Sequence, residues 1–303
     1  MIANTAVFGN HLDRDVSEIF FDKFAGYQSE ALQVAHVEPA PAGNHFTEAE
    51  LSALGPLRAI DEGDSVQFDS PVEGNKVTRY YTEFGLGIQI TKHMYKDDLT
   101  GNFRKMPSKL SKSANYKIET EFWDLFNSGF GTHTAADGEY IFDEDHTPLK
   151  AGDDQANEPA VAGSLSETTL LAGFESFDAL KDESGMPLDM TPYLLIVPYQ
   201  LRTTAGKLLG NEGILGSANN DMNSVNPANG IYPGWGVHIS KFLTSATAWF
   251  LLAQEHDFRF LWKEEAALES ADDFFTSSAL FKVTMRFGTF CNQWKGAYGN
   301  EGA

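Results

Sequence analysis

The acidic stretch between residues 137 and 154 comes closest to a metal-binding pattern in this sequence. Its potential ligands are Asp137, Asp143, Asp145, His146, Asp153 and Asp154. A calcium loop places oxygen ligands at every second position and ends with a distal Glu, and the spacing here does not match it. The pattern therefore favours a solvated acidic loop, and we predict no metal ligand. A metal-assisted enzyme built on this loop remains an alternative.

Other short motifs resemble known binding or catalytic sites, but the sequence around them does not support that interpretation. Gly85-Leu86-Gly87 lies inside a predicted strand, so it is not a dinucleotide-binding turn. Gln254-Glu255-His256 lacks the second His of a zinc-binding helix, and His93, His133 and His238 are scattered and predicted to be structural. The sequence contains neither a Walker-type phosphate loop nor a Gly-x-Ser-x-Gly elbow. We predict no catalytic residue, no cofactor-binding residue and no cofactor.

Composition indicates a globular chain of one large or two modest domains. The 303 residues carry a net charge of −21, which argues against a reader of nucleic acids. The segment Lys92–Lys117 is nevertheless basic, at +5, through Lys92, Lys96, Arg104, Lys105, Lys109, Lys112 and Lys117. A solvated helix face is the favoured interpretation of this segment, and contact with a polyanion is the alternative.

Few features of the sequence indicate where in the cell the protein resides. The single cysteine, Cys291, excludes an internal disulfide, is predicted to be buried and fits a reducing cytosol. Met1–Asn10 lacks the basic start and apolar region of a signal peptide. The longest apolar run, near Ala248–Ala253, is too short to cross a membrane.

The first half of the chain predicts an arm followed by a long hairpin. The arm carries a short helix near Asp15–Ala25, and the prolines of Glu38–Gly43 interrupt regular structure. A strand at Val66–Asp69, a turn at Glu73-Gly74-Asn75 and a strand at Lys76–Thr91 follow. The second strand places Tyr80, Phe84, Leu86, Ile88 and Ile90 on one face. A ribbon this long is marginal alone in water, so it must lean on another element or another subunit.

Helices and strands alternate through the rest of the chain, which predicts an α+β fold. A long amphipathic helix begins at Pro107 or Ser108 and ends near Gly129, with Leu110, Ala114, Ile118, Phe122 and Phe126 as its apolar stripe and Glu119 on its polar side. Ser164-Leu165-Ser166-Glu167 predicts a capping box and a second helix. Further predicted elements are strands at Tyr193–Val197, Val237–Ser240 and Ala246–Ala253, a helix at Leu201–Leu209 and an Asn-rich loop at Asn219–Gly230.

The last thirty residues predict a strand and an aromatic tail. Phe281–Phe287 alternates apolar and polar residues, as a strand with one buried face does. Phe290, Trp294 and Tyr298 follow at four-residue spacing and need something to pack on. We expect this tail to dock, either on its own domain or on a neighbouring subunit.

Four segments together resemble the major capsid proteins of tailed bacteriophages, and the Mu-like major head subunit branch most of all. Tyr95–Phe103 with the following helix resembles the segment that leads into the long spine helix of that family. The run Asp137–Phe142 with His146 and Pro148 is similar to its acidic loop, and Pro192–Pro198 to its strand–Pro–helix unit. Lys282, Arg286, Gly288, Trp294 and Tyr298 match its closing strand and tail.

The resemblance implies the tailed-phage major capsid fold, which encapsulins share. It implies an N-terminal arm (1–61), an extended hairpin loop (62–92), a peripheral domain with the spine helix (93–162 and 255–303) and an axial domain (163–254). The function it implies is a structural one: self-assembly as hexamers and pentamers into the icosahedral shell that encloses the phage genome.

The resemblance also implies partners. The chain would contact further copies of itself, a separate scaffold protein and, weakly, packaged double-stranded DNA through Lys105, Lys109 and Lys112. Portal and decoration proteins are further partners, with no membrane contact, and assembly in the host cytoplasm would place the subunit in the virion. In some relatives a loop Lys bonds covalently to an Asn of a neighbour. Lys76 with Asn292 or Asn300 would be the counterparts here, although no assisting Glu is identifiable.

Two other functions stay open at this point. An encapsulin-like compartment shell would have the same fold and enclose a cargo enzyme. A soluble metal-assisted enzyme would stay small in solution and lose activity with a chelator.

Overall fold

The computed structural model describes residues 16–52, 54–66, 68–91, 94, 105–149, 153–210, 225–228, 234–273, 276 and 278–303. The side chains of Glu50 and Asp272 are not described. Several predicted features fall outside these residues: Met1–Asn10, Lys92, His93, Tyr95–Phe103, Arg104 and most of the loop Asn219–Gly230. Within the described residues, no helix is both long and apolar enough to span a membrane.

Helices and strands mix along the chain, so the predicted α+β class is confirmed. The helices are α1 (16–25), α2 (Glu30–Val34), α3 (Met106–Asn127), α4 (Glu167–Ala179) and α5 (Arg202–Gly210). The strands are β1 (His36–Pro39), β2 (His45–Leu51), β3 (Glu73–Tyr80), β4 (Thr82–Thr91), β5 (Pro192–Pro198), β6 (Gly236–Ser240), β7 (Trp249–Ala253), β8 (Phe258–Asp273), β9 (Ser278–Cys291) and β10 (Ala297–Asn300).

The chain divides into two compact units. The first comprises the described residues of Met1–Phe46, Arg79–Phe122 and Arg259–Thr289. Its sheet has the order β1-β8-β9-β4. Alternation along β9 buries Phe281, Val283, Met285 and Phe287. The apolar stripe of α3 shares one core with the last three of these through Leu110, Ala114 and Ile118. On the sheet every second residue is buried, and on α3 the buried residues recur at helical spacing. These two apolar faces form the core.

The second unit comprises Thr47–Thr78, Trp123–Phe258 and Phe290–Ala303. Its sheet has the order β10-β7-β5-β6, and every residue of the central strand β7 is buried. Helix α4 contributes Leu170, Phe174 and Phe177 to the core of this unit. The capping box exists, but its N-cap is Ser166 rather than Ser164, because Thr169 at the third helical position supplies the reciprocal hydrogen bond.

The predicted hairpin is wrong in its turn and its pairing. Glu73-Gly74-Asn75 is the start of strand β3, and β3 pairs with β2 instead of with Val66–Asp69. The tight turn lies at Asp61–Asp64, where Gly63 has a φ of 97°, a left-handed conformation that glycine adopts easily. The strand predicted over Lys76–Thr91 is also two strands, which are separated at Tyr81.

Two strands of the first unit were not predicted. Strand β8 contains Lys263–Ser270, a run of good helix formers, so local propensity indicated no strand there. Strand β1 includes Pro39 and pairs in parallel with β8, His36 opposite Arg259. A proline is tolerated there because β1 is the outer strand of its sheet.

Candidate functional site

The connection between β2 and β3 exposes more apolar surface than its own fold can bury. We call Thr47–Thr78 the ribbon loop. Its shape is held by polar contacts: Ser52 Oγ accepts from Val72 N at 2.8 Å, and Asp69 Oδ2 accepts from Gly55 N at 2.7 Å. Its solvent-exposed large apolar side chains are Leu51, Leu54, Leu57, Ile60, Val66, Phe68 and Val72. Leu57 and Phe68 are essentially fully exposed, at 103% and 96%. Exposed apolar side chains in such number are typical of surfaces that bind another protein.

The described part of the predicted basic segment forms one stripe along α3. Lys105, Lys109, Lys112 and Tyr116 are exposed and recur at helical spacing, so they share one face. Lys117 lies off this stripe, pairs with Glu121 and sits over the Phe84 ring, 4.7 Å from its centroid. We call Lys105, Lys109 and Lys112 the lysine stripe. For the described part of the segment, the prediction of a solvated face is confirmed, and this face presents a row of exposed positive charges.

Glu119 fastens the N-terminal segment to α3, a role that the sequence did not reveal. The prediction put it on the polar side, yet its side chain is fully buried. Its two carboxylate oxygens accept from the backbone N–H groups of Glu30 and Ala31, at 2.9 and 3.0 Å. These are first-turn donors of α2, which have no partner within that helix. A buried carboxylate thus caps a helix that lies far away in sequence.

The acidic loop proves to be a structural network. His146 is buried, with Nδ1 2.6 Å from Asp137 Oδ2 and Nε2 3.2 Å from Asn157 Oδ1. Its ring stacks on Trp294, with centroids 4.0 Å apart. Asp143 Oδ1 accepts from Asp145 N at 3.2 Å, as a turn carboxylate does.

The other candidates for chemistry stay apart from this network. Asp153 and Asp154 are exposed. Among the residues that the structure describes, no group of three or more His, Cys, Asp or Glu side chains is arranged to hold a metal ion. His133 pairs with Asp124 at 2.9 Å, and His238 stacks on Trp123. These histidines therefore have structural contacts of their own.

The residues considered for a covalent cross-link lie in different environments. Lys76 is exposed on β3. Asn292 is buried and donates from Nδ2 to Glu48 Oε2 at 2.9 Å, while Asn300 is buried and accepts from Gly163 N at 3.0 Å. Both amides are thus occupied within their own subunit.

The aromatic tail docks on its own subunit. Strand β10 pairs antiparallel with β7, Ala297 opposite Leu252, and all four of its residues are buried. Trp294 and Tyr298 belong to the core of the second unit. Cys291 is buried, as predicted, and its Sγ donates to Gln293 O at 3.4 Å.

The described residues thus present an exposed apolar loop and an N-terminal segment held by a buried carboxylate. Solved structures of shell proteins share this fold. The bacteriophage JBD30 capsid matches with a TM-score of 0.58 and 17% identity over 73% of this chain and 92% of that chain. The capsid of the native GTA particle matches at 0.57 and 12%, over 91% and 92%. The virus-like particle from Pyrococcus furiosus matches at 0.55 and 10%, over 95% and 98%.

The amino-acid sequence also matches a protein-family model. The model of a family described as phage capsid protein matches residues 78–300, and the chain therefore belongs to the phage capsid protein family. No curated protein sequence matches it. The chain is a structural shell protein of the virion, a major capsid protein, as the resemblance implied. The encapsulin-like compartment and the soluble metal-assisted enzyme are not favoured.

Proposed function

We propose that this chain is the head subunit of a tailed phage of the Mu-like branch, that it forms hexamers and pentamers, and that it has no enzymatic activity. Its shell encloses double-stranded DNA and forms on a separate scaffold protein, with portal and decoration proteins as further partners. The N-terminal arm is 1–61, the extended loop 62–92, the peripheral domain 93–162 with 255–303, and the axial domain 163–254. These boundaries are part of the proposal.

The exposed apolar side chains of the ribbon loop carry this proposal. Burying a Leu or Phe side chain contributes about 1.5–3 kcal/mol, so a neighbour that covers Leu57 and Phe68 gains several kcal/mol for each subunit. The loop and the surface that covers it are different patches, and such heterologous contacts close into rings. Rings of five and six subunits are the units from which closed shells are built.

Light scattering of the purified chain tests this, backed by negative-stain microscopy. We expect capsomers or hollow shells from the wild type, and single subunits from Leu57→Glu/Phe68→Glu. Val161→Glu is the matched control, because Val161 is also an exposed apolar residue, at 83%, outside the ribbon loop. A wild-type chain that stays monomeric with scaffold protein supplied would refute the proposal. So would a double variant that still assembles.

The lysine stripe supports the DNA contact. Three exposed lysines on one helix face can neutralise phosphates without reading bases, and such binding weakens as salt rises. We expect Lys105→Gln/Lys109→Gln/Lys112→Gln shells to retain less DNA and to show a shallower salt dependence. Lys23→Gln/Lys207→Gln/Lys241→Gln removes the same charge from exposed lysines elsewhere and should leave retention unchanged. Unaltered assembly and retention in the stripe variant would contradict this contact.

A further inference from the structure

The segment Ala297–Ala303 is tied down by hydrogen bonds along its length, and we call it the strap. Gly299 N donates to Asn157 O at 2.9 Å. Asn300 Oδ1 accepts both from Gly163 N, at 3.0 Å, and from Gly302 N, at 2.9 Å. Two hydroxyls reach the strap carbonyls: Thr247 Oγ1 donates to Glu301 O at 3.1 Å, and Ser164 Oγ to Ala303 O at 2.9 Å. The loop 157–164 therefore holds one side of the strap.

Glu158 lies within that loop, and the described charged groups that act on it are carboxylates. Its side chain is half-buried, and among the described residues it has no hydrogen-bond or ion-pair partner. Among the described residues, Glu301 on the strap and Asp143 and Glu144 on the acidic loop repel it electrostatically. A carboxylate in this position loses hydration without gaining a donor or a cation, which disfavours its charged form.

The electrostatics agree with this geometry. Burial, followed by the repulsion of Glu301, Asp143 and Glu144, raises the pKa of Glu158 from 4.5 to about 7. Burial also raises the pKa of Tyr298 on the strap, and Glu158 adds to that effect. Protonation of Glu158 removes one of these negative charges and so relieves the repulsion.

We propose that the strap is a proton-sensitive fastening, held tightly while Glu158 is protonated and loosened when Glu158 and Glu301 are both ionised. Releasing the strap separates the two carboxylates and rehydrates Glu158, so ionisation favours the released state. The strap is then most stable below the ordinary pKa of a glutamate and loses stability as the pH rises through about 7. This inference does not depend on how the shell assembles.

Hydrogen exchange of the full-length chain, corrected for intrinsic rates, tests the proposal at pH 5 and pH 8. Each unit of pKa difference between the fastened and released states changes the opening equilibrium about tenfold. Because Glu158 is partly solvated, water screens part of this effect. We therefore expect protection of the Gly163, Gly299 and Gly302 amides to fall about tenfold between the two pH values, which is less than the whole pKa difference would give. Equal protection at both would overturn the proposal.

Glu158→Gln separates this mechanism from a general effect of pH. The neutral amide should keep the strap protected at pH 8 as well as the wild type is at pH 5. Glu62→Gln removes one exposed carboxylate from the ribbon loop and should retain the wild-type pH dependence. A Glu158→Gln chain whose strap still loosens between pH 5 and pH 8 would refute the role of Glu158. The comparison of wild-type protection at pH 5 and pH 8 needs no variant. It therefore tests the proposal even if a substitution prevents folding.

Discussion

The imidazole of His146 lies flat on the indole of Trp294, with 8° between the ring planes. The two residues belong to distant parts of the sequence, and their contact joins the acidic loop to the docked tail. Asp137 orients the imidazole through Nδ1. Asp137, which resembles a metal ligand in the sequence, is therefore part of a packing arrangement.

Removing the charge of Asp137 should destabilise this arrangement. Asp137→Asn exchanges a charged acceptor for an amide, and we expect a loss of about 1–3 kcal/mol in the free energy of unfolding. Urea denaturation followed by tryptophan fluorescence measures it. Asp145→Asn, an exposed residue in the same loop, should change stability by less than about 0.5 kcal/mol. Equal effects would contradict a specific Asp137–His146 contact.

Two helical glycines should respond oppositely to the same substitution. A Cβ on Gly173 in α4 would lie 2.8 Å from Leu251 Cδ1 and 3.2 Å from Tyr298 Cε1. Gly173→Ala should therefore cost about 1–3 kcal/mol through overpacking. Gly206 in α5 has open space around it, and Gly206→Ala should gain about 0.5–1 kcal/mol. Thermal unfolding compares the two, and a stabilised Gly173→Ala would show that the packing is looser than described.

The ion pair of Lys295 and Glu183 is buried in the second unit. Lys295→Met should cost about 3–5 kcal/mol, because it leaves Glu183 without its cation. Lys295→Met/Glu183→Leu should recover much of that loss in urea denaturation, since no uncompensated charge remains. Lys282→Met, which removes an exposed pair with Glu269, should cost at most about 1 kcal/mol. Similar losses from both lysines would argue against a buried pair.

Ser111 offers a stabilising substitution in α3. Its hydroxyl is buried with no hydrogen-bond partner among the described residues. Ser111→Ala removes an unsatisfied polar group and adds helix propensity, so we expect a gain of about 1–2 kcal/mol. Ser113 is exposed on the same helix, and Ser113→Ala should gain only the smaller propensity contribution. Equal midpoints for both variants in urea would contradict this account.

Alkaline pH should weaken the fastening at Glu119. Burial, followed by repulsion from Glu119 and Glu30, raises the pKa of Tyr27 from 10.0 to about 12. The stability from this phenol is complete below pH 10 and declines as the pH rises through about 12. Absorbance titration at the phenolate band should show one late-titrating tyrosine that is missing in Tyr27→Phe. If the step that Tyr27→Phe removes lies near pH 10 instead, the raised pKa of Tyr27 is refuted.

Regular patterns made much of the fold predictable. The stripe from Leu110 to Phe126 and the alternation over Phe281–Phe287 gave the correct elements because one face of each is buried. Strand β8 escaped prediction because its partner strands, and not its helix-forming residues, determine its conformation. The role of Glu119 was not predicted, because a charged side chain on a helix is expected to face solvent unless a buried partner for it is known. Its partners, the amides of α2, come together with it only in the folded chain.

The parallel pairing of His36 with Arg259 also has a consequence for synthesis. A ribosome releases the segment that carries β1 long before it makes β8, so the N-terminal strand waits unpaired during most of translation. The first unit can close only when nearly the whole chain has emerged, because such long-range pairing forms slowly and late. A product that stops before β8 and β9 therefore lacks the two central strands of this sheet, and strands β1 and β4 are left without the partners that order them.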